Sequence, residues 1–338
     1  MILVTGGTGL VGSHLLYHLS RDNAELRAIH RRSSDLNAVK KVFSYYGGEH
    51  EALFKRIRWV EADLLDLSAL EKAFENVTLV YHCAAMVSFV SSDYQMMRRM
   101  NIEGTTNIAN LCIEFQIQKL CYVSSVAAIE NRADQAIMDE SDNWSSTLDK
   151  SGYAITKYGA EMEVWRASQE GIPVVIVNPG VILGSGPWHK GSGIMFRRVD
   201  KGMPFYTTGL TGFVDVQDVV RIMISLMNSS ICNERYILVS ENLTYQEVLN
   251  AIAMSLKRPK PRIKINRWLT ELIWRFEYLK SKITLSSPLL TKHTALSSVS
   301  IQPYSSGKII ETLDYEFNKI NDCIKRVAEN YKKVLPEN

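Results

Sequence analysis

The chain has no stretch that approaches the roughly eighteen uncharged apolar residues of a membrane-crossing helix, so no span is expected. Charge of one sign is also missing. Its 39 Lys and Arg stand against 36 Asp and Glu, a net charge of +3, which supplies no field for nucleic acid or an anionic membrane. Cysteine is sparse. Cys83, Cys112, Cys121, Cys232 and Cys323 are odd in number, with no C-x-x-C pair and no metal-ligand spacing. That argues against a disulfide framework and a zinc module, and leaves free thiols in a reducing compartment. There is no internal repeat and no low-complexity tract. The first strand begins at Met1, which leaves no room for a secretory leader, and a cytoplasmic protein is expected. What remains, 46% hydrophobic and 22% charged residues over 338 positions, is an ordinary globular composition with core enough for one large α/β unit and an appended lobe.

The most informative feature present is at the start. Met1-Ile-Leu-Val4 is a short apolar run that leads into Thr5-Gly6-Gly7-Thr8-Gly9-Leu10-Val11-Gly12, and a helix-compatible stretch follows from Ser13. Gly6 would allow a sharp turn off the strand, Gly9 a close approach of pyrophosphate to backbone, and Gly12 tight packing of helix on sheet. The phosphates of a dinucleotide would then lie at a helix N-terminus, where free N–H groups and the dipole favour anions.

Strand and helix signals alternate onward. Glu25–His30, Ile57–Glu61, Leu79–Cys83, Leu120–Ser124 and Val174–Val177 read as strands. Ser13–Arg21, Leu36–Tyr45, Leu67–Phe74, Tyr94–Phe115 and Gly152–Gln169 read as helices between them. This spacing predicts a doubly wound parallel Rossmann sheet, with ligands outside the carboxyl ends of its strands. The pattern loosens after Pro179, through a loop rich in Gly and Pro at 184–193. Residues 1–180 are therefore expected to bind the dinucleotide and 181–338 to form a smaller substrate lobe, with Phe213–Met227 returning to the main sheet. Arg235–Ser240 reads as a strand, Thr244–Leu256 as a helix capped by Thr244 with Glu247 three residues on, and Glu311–Lys333 as one charged helix.

Tyr153 and Lys157 stand four apart, on one face of a helix. An ammonium near a phenol favours the phenolate and would lower its pKa toward neutrality, making the tyrosine a usable proton donor or acceptor. Upstream, Cys121-Tyr-Val-Ser124-Ser125 ends a strand. A hydroxyl at that edge can hold a carbonyl oxygen.

The chain here resembles the extended short-chain dehydrogenases/reductases. The resemblance rests on Thr5–Gly12, Asp63-Leu64, His82-Cys83-Ala84-Ala85, Asn101-Ile-Glu-Gly104-Thr105, Val123-Ser124-Ser125, Tyr153-x-x-x-Lys157 and Asn178-Pro179-Gly180, in order over about 1–220. Asn178–Gly184 and Phe213–Val220 make it look most like dihydroflavonol-reductase and hydroxysteroid-dehydrogenase types. The resemblance implies that Tyr153 is the catalytic acid/base, that Lys157 lowers its pKa and holds the nicotinamide ribose, and that Ser125 orients the reacting oxygen. Ser125 is taken over Ser124 because the family's serine precedes small or apolar residues, here Val126, Ala127 and Ala128; both hydroxyls stand near the site. Gly6, Thr8, Gly9, Leu10, Val11 and Gly12 would cradle the pyrophosphate. Asp63 and Leu64 would meet the adenine, Ala84 and Ala85 the middle of the cofactor, and Pro179 and Ile182 the carboxamide. Asn101 matches a family position whose role could be structural.

The expected activity is hydride transfer between NADP(H) and a small-molecule carbonyl or secondary alcohol. A nucleotide-sugar epimerase or dehydratase with retained cofactor, or a non-catalytic NADP-binding protein, is the alternative. NADP(H) is favoured over NAD(H) because an NAD site wants an acid after the second strand, whereas this chain has His30-Arg31-Arg32-Ser33-Ser34, and guanidinium groups suit a 2′-phosphate. No metal is expected: His14 and His18 are four apart, but their helix serves the cofactor. His189 is a candidate substrate contact. Residues 267–280 carry an apolar stripe that could be core, a lid or a membrane-surface helix. A homodimer is expected through the helices Tyr94–Phe115 and Gly152–Gln169. Met96, Met97, Met100, Ile108, Leu111, Ala160, Met162, Val164 and Trp165 there exceed what one sheet contact needs.

Overall fold

A computed structural model describes residues 1–22, 25–129, 137–142, 144, 150–266, 268–270, 274–275 and 292–334. Its main sheet is built from β1 (Ile2–Thr5), β2 (Leu26–His30), β3 (Ile57–Glu61), β4 (Leu79–His82), β5 (Lys119–Val123), β6 (Val174–Pro179) and β10 (Glu234–Leu238). The seven run in the order β10-β6-β5-β4-β1-β2-β3, and every pairing is parallel, for example Val4 opposite Ala28 and Tyr81. A doubly wound Rossmann sheet is therefore present. Its inner strands read as unbroken apolar runs because helices cover both faces. On one face lie α1 (Leu10–Arg21), α2 (Leu36–Ser44), α3 (His50–Lys55) and α9 (Val216–Met227). On the other lie α4 (Leu67–Phe74), α6 (Gly104–Glu114) and α7 (Gly152–Gln169). Strand order reverses between β1 and β4, which opens the ligand crevice above their carboxyl ends.

The remaining strands are short. β7 (Val181–Leu183), β9 (Leu210–Asp215) and β11 (Glu241–Thr244) form a three-stranded sheet, and β8 (Phe205–Tyr206) pairs with β12 (Ile263–Lys264). With α8 (Gly193–Asp200), α10 (Tyr245–Leu256) and the helix Ile320–Lys332 they enclose a second core. The α10 capping box is present: Thr244 Oγ1 accepts from Glu247 N while the Glu247 carboxylate accepts from Thr244 N.

Four details differ from the sequence reading. Of 213–227, the strand part lies in the small sheet and only α9 packs on the main one. The strand that does rejoin the main sheet is β10. The helix expected over Glu311–Lys333 is two, Gly307–Leu313 and Ile320–Lys332. Asp314 turns left-handed at φ +47, and Asp218 holds the connection by accepting from Tyr315 Oη and Asn318 N. The helix expected over Tyr94–Phe115 is α5 (Tyr94–Met97), a π-helical turn at Arg98–Glu103, then α6. Finally, of the apolar residues assigned to a dimer face, Met97, Ile108, Leu111, Ala160 and Val164 are buried within the single chain; Met96 is exposed, with Met100, Met162 and Trp165 half-buried. Most of the 267–280 stripe lies outside the described residues. Among those described, Trp268 is exposed and Thr270 buried.

Candidate active site

The glycine turn follows β1 directly. Gly6 sits at φ +68, and a Cβ there would stand 2.6 Å from Ala84 N. A Cβ on Gly12 would run into the Gly6 carbonyl oxygen. Glycine is thus forced at both by backbone meeting backbone. Gly9 is the N-cap of α1 and offers no side-chain cap. The first N–H groups of the helix, at Leu10, Val11 and Gly12, are consequently unclaimed by side chains. Thr8 is half-buried beside them. Across the crevice Ala84 N donates to Thr5 Oγ1 (3.3 Å), and Ala85 is exposed. Below, His82 is bonded to Thr5 (2.6 Å) and Thr105 (3.0 Å), and burial drives its pKa down to about 3, so the ring is neutral.

Arg31 and Arg32 leave the end of β2 with exposed side chains. The nearest acid along the chain, Asp35, caps α2 by accepting from Asn37 N (2.9 Å) and Ala38 N (3.2 Å). After β3, Asp63 is half-buried and accepts from Leu65 N (3.0 Å), while Leu64 is buried against Gly104. Pro179 closes β6 and Ile182 lies in β7. Arg31, Arg32, Asp63 and Pro179 stand at or just beyond the carboxyl ends of main-sheet strands, whereas Ile182 belongs to the small sheet.

Ser151 caps α7, accepting from Ala154 N (3.1 Å), and Tyr153 stands in the first turn. The Ser125 side chain lies close enough to its phenol to oppose the effect of burial on it, and Ser125 Oγ accepts from Ala127 N (3.1 Å). The Phe89 ring lies edge-on 5.7 Å away. Ser124 is turned from this group; its Oγ donates to Glu161 (2.5 Å). Lys157 is buried one helical turn below Tyr153, and its ammonium donates to Tyr122 Oη and the Val123 carbonyl, both at 2.8 Å. One electrostatic expectation is corrected. Burial pushes the Tyr153 pKa up, with the neighbouring Ser125 side chain opposing, and takes Lys157 down to about 7, with Glu161 opposing. Desolvation disfavours both charged forms and outweighs the attraction inferred from spacing.

Two polar networks support the site and were not read from the sequence. Asn101, in the π-helical turn, accepts from Met86 N (2.7 Å) and donates to Met86 O (2.9 Å) and Thr156 Oγ1 (3.0 Å). It ties the loop after β4 to α7 from within the π-helical turn, a kind of bulge frequent at functional sites. The second network joins Glu161, Asn178 and Arg235 under the serines. No spacing signal marks it, because its members lie on three separate elements. His14 bonds Tyr46 Oη (2.5 Å) and the Ser185 carbonyl (2.8 Å), His189 is exposed, and the described residues include no metal-holding cluster.

A family model for the NAD dependent epimerase/dehydratase family matches residues 2–238. The chain belongs to that family. Its relatives include a protein of Synechocystis sp. provisionally named dihydroflavonol 4-reductase, 28% identical over 334 residues that cover 95% of this chain and 91% of that one. Sterol demethylase protein B of Methylococcus capsulatus is 28% identical over 269 residues, 78% of this chain and 76% of that one. The crystal structure of gox2253 superposes with a TM-score of 0.82 at 26% identity over 98% of both chains. The family is one of reductases, dehydrogenases, epimerases and dehydratases, so the chain is an NAD(P)-dependent enzyme of extended short-chain dehydrogenase type. The turn fits the dinucleotide its family uses: backbone closes in at Gly6 and Gly12, the helix end is uncapped, and small side chains face it at Ala84 and Ala85.

Proposed function

We propose that the protein is an NADP(H)-dependent oxidoreductase that reduces a carbonyl, or oxidises the matching secondary alcohol, at a Ser125-Tyr153-Lys157 site. The observation that carries this is Tyr153 in the first turn of α7 beside the Ser125 hydroxyl, with the Lys157 ammonium buried a turn below and bonded to Tyr122 Oη and the Val123 carbonyl. A bound nicotinamide supplies or accepts the hydride. The pyrophosphate would be held by Gly6 and Thr8–Gly12, the adenosine by Asp63 and Leu64, the nicotinamide end by Ala84, Ala85, Pro179 and Ile182, and a 2′-phosphate by Arg31 and Arg32.

In this reading Ser125 Oγ hydrogen-bonds the substrate oxygen and holds it toward Tyr153. Tyr153 Oη gives that oxygen its proton as negative charge develops. Because burial raises its pKa, Tyr153 rests as the neutral phenol, the form that donates, which favours reduction. Lys157 then stabilises the phenolate left behind. The same reading takes the protein as cytoplasmic, consistent with five free cysteines, and as a homodimer through Met96, Met162 and Trp165. The test is loss of NADPH absorbance over a panel of aldehydes and ketones, with NADH in parallel. Turnover of a carbonyl with NADPH is expected. Tight NADPH binding with no carbonyl consumed would overturn the assignment.

A further inference from the structure

Beneath the serines lies a buried acid that the reaction as written does not use. Glu161 is on α7, one turn beyond Lys157, with a fully buried side chain. One carboxylate oxygen accepts from Ser124 Oγ (2.5 Å) and Asn178 Nδ2 (2.9 Å). The same Asn178 amide donates to the Ser125 carbonyl (3.1 Å). The other oxygen faces Arg235 Nη1 (3.3 Å), from β10. Arg235 is itself fixed, because it donates to the carbonyls of Glu140 and Asp142.

We infer that Glu161 is a positioning residue: it clamps the Ser124-Ser125 strand exit in register with Tyr153 and sets a carboxylate one helical turn from Lys157, where it favours the ammonium form. The inference rests on the oxidoreductase reading above for its effect on turnover. An uncompensated buried carboxylate is costly, and Arg235 makes this one tolerable while its serine and asparagine contacts reach the catalytic edge. Glu161 stands one helical turn from Lys157 and acts on it as a carboxylate, opposing the effect of burial. On its own helix, Tyr153 is held neutral by burial. From β5, Tyr122 is pushed far above its ordinary range. From the end of β4, His82 is neutral, and Cys83 is raised to about 12 and stays a thiol.

The test is a titration of lysine labelled at 13Cε, with the Lys157 signal assigned by its loss in Lys157→Arg. Glu161→Gln keeps the shape and removes the charge. The anion favours the ammonium, so its removal should lower the Lys157 midpoint by about one pH unit, a tenfold loss of proton affinity. The alkaline limb of kcat should move down with it. Ser124→Ala drops one clamp contact and keeps the charge. It should cost about fivefold in kcat, the equivalent of one hydrogen bond, with KM and the Lys157 midpoint unmoved. An unmoved midpoint in Glu161→Gln, or an unchanged kcat in Ser124→Ala, would overturn the inference. The midpoint is read without cofactor or substrate. A parent that reduces no carbonyl therefore sinks the oxidoreductase reading alone, and the titration still decides the role of Glu161.

Discussion

Tyr153→Phe separates chemistry from architecture at this site. The substitution deletes one oxygen and keeps the ring, so the edge-on contact with Phe89 at 5.7 Å and the packing of the first turn of α7 persist. What is lost structurally is one hydroxyl beside the Ser125 side chain. Ser125 Oγ still accepts from Ala127 N, so it is not stranded. One hydrogen bond contributes about 0.5–1.5 kcal/mol net, and stability should change by no more than that. What is lost chemically is the proton donor. General acid catalysis contributes about 10²–10⁴ in rate, equivalent to about 2.7–5.4 kcal/mol of barrier. The two effects should therefore differ several-fold in energy. The measurement is a thermal melt, NADPH binding by fluorescence, and kcat with a carbonyl that the parent reduces. A nearly unchanged melt and dissociation constant with kcat down at least a hundredfold is expected. Activity within a few-fold of the parent would refute the argument, since it assigns the proton to Tyr153.

Three further outcomes follow from the geometry. Arg31→Ala should weaken NADPH binding by on the order of 1.5–3 kcal/mol, the worth of a charge-assisted contact, and leave NADH untouched; equal affinity of the parent for both cofactors would show that Arg31 and Arg32 do something else. Gly12→Ala drives a methyl into the Gly6 carbonyl and should cost about 1–3 kcal/mol or more of stability together with NADPH affinity; a melt equal to the parent's would contradict the close approach. Light scattering should give a dimer mass, and Met96→Arg should shift it to the monomer mass of 38.3 kDa. A parent already at that mass would mean that the helix faces are satisfied within one chain.

The sequence reading matched the structure most closely where local pattern and tertiary environment agree. Ile57–Glu61, Leu67–Phe74 and Gly152–Gln169 have the bounds read from the residues, and the two helices start at local caps, Asp66 and Ser151, that nothing distant opposes. Misreadings arose where a distant side chain overrides the local period. Between α5 and α6 the chain runs through a π turn, where Asn101 bonds Met86 and Thr156, partners no local period reveals. Asp218 breaks the last helix by capturing Asn318 N from 100 residues away. The surplus of apolar residues on two helices was real, but α6 and α7 pack on each other and consume most of it. The Tyr153 and Lys157 pair was visible as spacing. Its electrostatics were not, since burial depends on what encloses the pair. Glu161 and Arg235 stand 74 residues apart, and only the fold brings an acid on a helix to a base on an edge strand.

The position of β10 has a consequence for how the chain folds. The main sheet is finished by a strand that follows β7, β8, β9 and α9 in sequence. A nascent chain emerging from the ribosome as far as residue 180 has β1 to β6 in hand but leaves the backbone edge of β6 unpaired, all six of its residues being destined for burial. It also leaves Glu161 without its cation until residue 235 arrives. Such an edge invites pairing with other chains, and the closing contact spans a long loop, which slows folding. A fragment cut at the end of β6 should accordingly aggregate, whereas one extended through Leu238 closes the sheet.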